Sequence, residues 1–204
     1  DKNGEWRPID SDKDPTVILL HYPSILEDTI NYIPPRVKIE ISCLSMDEPT
    51  ELRQIRSLIG ESFDGEDRGA ESLVRTVVPT RTFLEKLFLL AEEFQKEKPR
   101  SVRMSRHLYD LEKLMDTEYG LEALSNRKLY DAIVEHRKTY YALKYVNYDL
   151  HAPSSISFTI PKSVMDAWQD DYADMRRFFI YGESLEFDAL MQKMRELQER
   201  VRVM

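Results

Sequence analysis

Residues 79–114 read PTRTFLEKLFLLAEEFQKEKPRSVRMSRHLYDLEKL. The stretch describes two amphipathic helices. Phe83, Leu87, Leu90 and Phe94 fall at i, i+4, i+7 and i+11 and form a core stripe. Thr82 to Glu85 matches a capping box at a helix start, and Lys98-Pro99 closes the helix. The second helix spans 103–115 and packs through Met104, Leu108, Leu111 and Met115. Polar residues sit beside both stripes. Lys86 lies about 60° off the first stripe at 100° per residue. Arg103, Arg106, His107 and Asp110 share one face of the second helix. A lysine, a basic cluster and a carboxylate on a helical pair suit phosphate handling.

Working outward, residues 36–42 (RVKIEIS) alternate strictly and predict a strand. Residues 16–20 (TVILL) and 73–78 (LVRTVV) predict two more, and 52–59 (LRQIRSLI) has helical spacing. Residues 25–33 read as a short helix or edge strand, and 62–70 as a loop. Beyond 114, a short helical turn at 121–124 precedes helices at 127–145, 163–181 and 185–201. An extended piece at Ile156, Phe158 and Ile160 interrupts them. Strands followed by helices give an α+β chain, with a sheet region at 1–78 and a helical region at 79–204. The polar start at 1–15, and a strand at 16–20 with no partner before it, read as a chain that begins in mid-domain.

Composition bounds the function. The 204 residues are 42% hydrophobic and 32% charged, a globular balance. No run approaches the length of a membrane span. A single cysteine, Cys43, excludes a disulfide framework or a cysteine-based zinc site, and a reducing cytoplasm is the expected compartment. A net charge of −8 argues against a broad nucleic-acid surface. Two local basic patches remain: Arg100, Arg103, Arg106 and His107, and Arg127, Lys128, Arg137 and Lys138. The four histidines lack metal-ligand spacing, and no glycine-rich phosphate loop or nucleophile motif is present. Tyr140, Tyr141, Tyr145 and Tyr148 suit core packing or a partner groove better than base stacking. Trp168, Phe178 and Phe179 read as core.

Each candidate residue also has a plain structural reading. Glu40 suits magnesium, a hard cation that takes carboxylate oxygens, but it also fits the polar face of a one-sided strand. Lys86 suits a triphosphate as a point charge. It also fits a snorkelling lysine paired with Glu85 or Glu93. Asp110 can position that lysine, or simply pair with Arg106 one turn earlier.

Taken in order, three segments resemble the AbiEii-type nucleotidyltransferase family, toxins of bacterial type IV toxin–antitoxin systems. Residues 37–41 (VKIEI) look like the strand that bears a late metal-binding carboxylate. Residues 78–87 (VPTRTFLEKL) look like the lysine motif, and 106–111 (RHLYDL) like the motif with a further aspartate. The resemblance implies a small mixed sheet left from a polymerase-β-like core, followed by helices. It implies transfer of a nucleotide from a nucleoside triphosphate, with magnesium, to an acceptor such as a tRNA end. It makes Glu40, Lys86 and Asp110 catalytic, Glu40 a metal ligand, and Arg81, Arg106 and Arg137 phosphate contacts. A cognate antitoxin is an implied partner. The family's glycine-led turn and paired acids are absent from this sequence. Read this way, the chain is the C-terminal part of an enzyme and is inactive by itself. The competing expectation is a non-catalytic helical module that binds an antitoxin or self-associates.

Overall fold

The computed structural model describes residues 16–24, 34–41, 50–63 and 71–204. The expectations for 1–15, 25–33, Cys43 and most of the 62–70 loop lie outside them.

The architecture is α+β. Strands β1 (Thr16–His21) and β2 (Arg36–Ile41) pair antiparallel, with Val17 opposite Glu40 and Ile18 opposite Ile39. Strands β3 (Thr50–Arg56) and β4 (Glu71–Val77) form a second antiparallel pair. Among the described residues the strands make two two-stranded sheets, where one small mixed sheet was expected. The 52–59 segment is also corrected. It enters β3 and then helix α1 (Leu58–Ser62), which Ser57 caps through Gly60 N–H. Its i, i+3 apolar spacing is ambiguous over so short a run, and pairing with β4 decides the outcome. Gln54 Nε2 donates to Glu71 Oε2 at 2.6 Å and Arg75 Nη1 to Thr50 Oγ1 at 3.2 Å across that pair.

The helical part holds the core. Helix α2 (Pro79–Glu93) begins three residues before the expected capping box. Proline at its first position needs no N–H partner, so Pro79 starts the helix and no side chain caps it. Helices α3 (Arg106–Leu114), α4 (Glu118–Ser125) and α5 (Arg127–His136) pack around α2. Helices α6 (Met165–Phe178) and α7 (Phe187–Arg202) complete the core, with α7 against α3. Both predicted stripes are buried, Phe94 less fully than the rest. The long helix expected at 127–145 ends early. A π-turn at Arg137–Tyr141 follows α5, and Ala142, at φ 43°, stops it.

The expected extended piece forms no strand. Its alternation is real, because Ile156, Phe158 and Ile160 are all buried. The buried amide of Gln198 stands in for a partner strand. It accepts from Phe158 N–H at 3.3 Å and donates to the Ile156 carbonyl at 2.7 Å.

Candidate functional site

Helices α2 and α3 meet along their apolar stripes, which sets Lys86 and Asp110 side by side. Lys86 Nζ lies 2.6 Å from Asp110 Oδ2. Neither plain partner is used. Glu85 is taken by Arg81 and Arg137, and Glu93 by Lys96 and Arg100. Asp110 pairs across helices and not with Arg106 one turn away. Among the described residues, Arg106 is left without a carboxylate partner.

Lys86, Arg106, His107, Tyr109 and Asp110 line a cavity of about 450 Å³. Met175, Phe179, Ile180 and Tyr181, from the end of α6 and the turn that follows, complete its lining. That volume falls within the range of small-molecule sites. His107 is 8% exposed, and its Nδ1 is buried with no hydrogen-bond partner. Burial, with the cations of Lys86 and Arg106 nearby, lowers its pKa to about 4. It is therefore neutral at pH 7, and the permanent positive charge of the cavity rests on Lys86 and Arg106.

Asp171 on α6 fixes the entry to α3. Its carboxylate accepts from the backbone N–H of Arg103 and Ser105 and from the Ser105 hydroxyl. Arg103 takes φ 59° at this point. It therefore stands outside the helix face it was expected to share with Arg106, His107 and Asp110.

The other candidates stand elsewhere. Arg81 is buried and donates to Glu85 at 2.8 Å. Arg137, 5% exposed, pairs with Glu92 through Nε at 2.7 Å and Nη2 at 2.5 Å, and also with Glu85. Burial alone would raise the Glu92 pKa, but its contacts with Arg137 and His151 outweigh this and lower it. Glu40 is exposed on β2 and pairs with Lys38 at 2.6 Å. It does not line the Lys86 cavity. Among the described residues, no three histidine, cysteine or acidic side chains stand together as a metal site.

Both basic patches are partly neutralised, Arg100 by Glu93, Arg127 by Asp131 and Arg137 by Glu85 and Glu92. The tyrosine cluster is not core. Tyr140, Tyr141 and Tyr145 are exposed, with Arg137 over Tyr141 and Lys96 over Tyr145. Phe179, expected in the core, is about half exposed on the cavity wall. The Phe-Phe-Ile-Tyr-Gly run at 178–182 is the sequence signal for that wall, since its apolar period outlasts the helix.

The Lys86–Asp110 pair, Arg106 and the apolar side chains of Met175, Phe179 and Ile180 thus line one cavity. Residues 3–193 match the family described as nucleotidyl transferase AbiEii toxin of the type IV toxin–antitoxin system, and the chain belongs to that family. No curated protein and no solved structure matches it. Among the described residues, no helix is long and apolar enough to cross a membrane.

Proposed function

We propose that the cavity between α2, α3 and the end of α6 binds the phosphates of a nucleoside triphosphate, as part of a nucleotidyl-transfer site. The observation that carries this is the Lys86–Asp110 pair on a cavity wall that also carries Arg106. In nucleotidyl transfer, an acceptor oxygen attacks the α-phosphorus and pyrophosphate leaves. Lys86 neutralises charge on the phosphate oxygens as it builds. Asp110 holds the Lys86 ammonium in place, and Arg106 supplies a second cation. For the tRNA end implied by the family resemblance, the two basic patches offer less charge than their composition suggests, since Arg100, Arg127 and Arg137 are engaged by carboxylates.

Thermal unfolding with and without millimolar nucleoside triphosphate and magnesium tests the reading. A ligand that binds only the folded state raises the melting temperature with concentration. The rise is expected for the wild type and is expected to vanish in Lys86→Ala. No rise in the wild type would count against the reading.

A second reading has its own observation. Val37, Ile39 and Ile41 on β2, and Leu52, Ile55 and Leu73 on β3 and β4, are exposed apolar side chains. Exposed apolar patches mark interaction surfaces. A module that binds an antitoxin or self-associates through them would sediment as a concentration-dependent oligomer, or form a complex with that partner. Its behaviour would not depend on Lys86.

A further inference from the structure

The lining of the cavity is chemically mixed. Lys86 and Arg106 bring positive charge, and Met175, Phe179, Ile180 and Tyr181 bring apolar and aromatic surface. Tyr181 is fully exposed, and Phe179 about half so. Large aromatic rings held at the rim of a cationic cavity fit a ligand with an anionic end and a flat apolar end.

The turn that carries them is tied down on both sides. Phe179 N–H and Ile180 N–H both donate to the Met175 carbonyl at 2.9 Å, which closes α6. Gly182 then takes φ 105°, a conformation that L side chains rarely adopt, and turns the chain back. Beyond it, Arg176 Nε donates to Ser184 Oγ at 3.1 Å, and the Arg176 guanidinium pairs with Glu186. Tyr172 Oη donates to the Leu185 carbonyl at 2.8 Å. Five hydrogen-bonded contacts thus fix a loop of a few residues. The backbone of the turn is placed before any ligand arrives, which lowers the ordering cost of binding.

We infer that the Phe179–Ile180–Tyr181 turn seats the nucleobase of the triphosphate whose phosphates Lys86 and Arg106 hold, with Tyr181 and Phe179 as its stacking faces. The inference rests on the phosphate reading of the same cavity and adds the element that contacts the base. Stacking on an aromatic side chain tolerates any base, so the turn supplies affinity for nucleotides as a class.

The test uses two probes with magnesium: each nucleoside triphosphate, and inorganic tripolyphosphate, which has the charge but no base. Calorimetric titration compares the wild type with Tyr181→Ala, Phe179→Ala, Tyr181→Trp and Lys86→Ala. Tyr181→Ala and Phe179→Ala are expected to weaken nucleotide binding roughly tenfold and to leave tripolyphosphate unchanged. Tyr181→Trp is expected to retain nucleotide affinity, and Lys86→Ala to weaken both probes. Because Tyr181 is fully exposed, its substitution should leave the melting temperature unchanged, which separates loss of ligand from loss of fold. Nucleotide affinity within twofold of wild type in both rim alanine variants, with Lys86→Ala still defective, would overturn the inference and leave the phosphate reading intact. Equal losses for both probes in the rim variants would also overturn it. Failure of the wild type to bind either probe would overturn the phosphate reading and the inference with it.

Discussion

Lys86 Nζ on α2 and Asp110 Oδ2 on α3 are 2.6 Å apart, 24 positions from one another in sequence and side by side on one cavity wall. The pair is partly open to solvent, with side-chain exposures of 23% and 37%. Ion pairs of this kind contribute about 0–1 kcal/mol to stability. Lys86→Ala and Asp110→Asn are therefore expected to shift the melting temperature by no more than about 2–4 °C. Their effect on nucleotide affinity is expected to be tenfold or more. A large fall in melting temperature with unchanged affinity would make the pair a structural clamp.

Arg137 behaves in the opposite way. With its guanidinium buried between Glu92 and Glu85, Arg137→Met takes the cation away from the buried Glu92 carboxylate and leaves Glu85 to Arg81 alone. Breaking one side of a buried pair costs about 3–5 kcal/mol. Urea unfolding should show that loss, and the double variant with Glu92→Gln should recover part of it. A stable Arg137→Met that loses only nucleotide affinity would return Arg137 to the phosphate-binding role implied by the family resemblance.

His107 makes the fold acid-sensitive. Its folded pKa of about 4 lies below the ordinary value near 6.5. Between those values the unfolded chain binds the proton and the folded chain does not. Stability therefore falls as pH falls through this window, by up to about 1.4 kcal/mol per unit. Glu92 and Glu93 have lowered pKa values, so their contribution is present above the carboxylate range and is lost further down. Urea midpoints measured from pH 7 to pH 4 should decline for the wild type. In His107→Gln the slope above about pH 4.5 should flatten, with the carboxylate loss remaining below it. Parallel slopes for the two proteins would contradict the buried, neutral imidazole.

Asp171→Asn tests the entry to α3. The amide nitrogen of asparagine would face donors that now meet a carboxylate oxygen, and an unsatisfied buried donor costs about 1–3 kcal/mol. The melting temperature should fall, and nucleotide affinity should fall too, because Arg106 and His107 follow directly. Wild-type affinity in this variant would show that the cavity does not depend on that cap.

The sequence showed the helical stripes clearly because Phe83, Leu87, Leu90, Leu108 and Leu111 are long-period signals that tertiary packing reinforces. It also brought Lys86, Arg106 and Asp110 forward as a group, and the structure sets all three on one cavity. What it missed depends on distant partners. No local pattern says that Glu85 will be held by Arg137, or that Asp171 will bend residue 103 into a left-handed turn. The 50–56 strand was hidden because its apolar residues fit a helix until β4 is placed beside it. Phe179 and Tyr181 were missed as cavity residues because an apolar run beyond a helix end resembles more core.

Everything proposed for the cavity turns on Lys86, held by Asp110, binding the phosphates of a nucleotide. The most direct measurement of that binding is calorimetric titration of nucleoside triphosphate and magnesium into wild type and Lys86→Ala, each first shown to be folded by its melting temperature. Saturable, one-site binding to the wild type and at least tenfold weaker binding to Lys86→Ala are expected. Equal affinities in two folded proteins, or no saturable heat in the wild type, would contradict phosphate binding by Lys86.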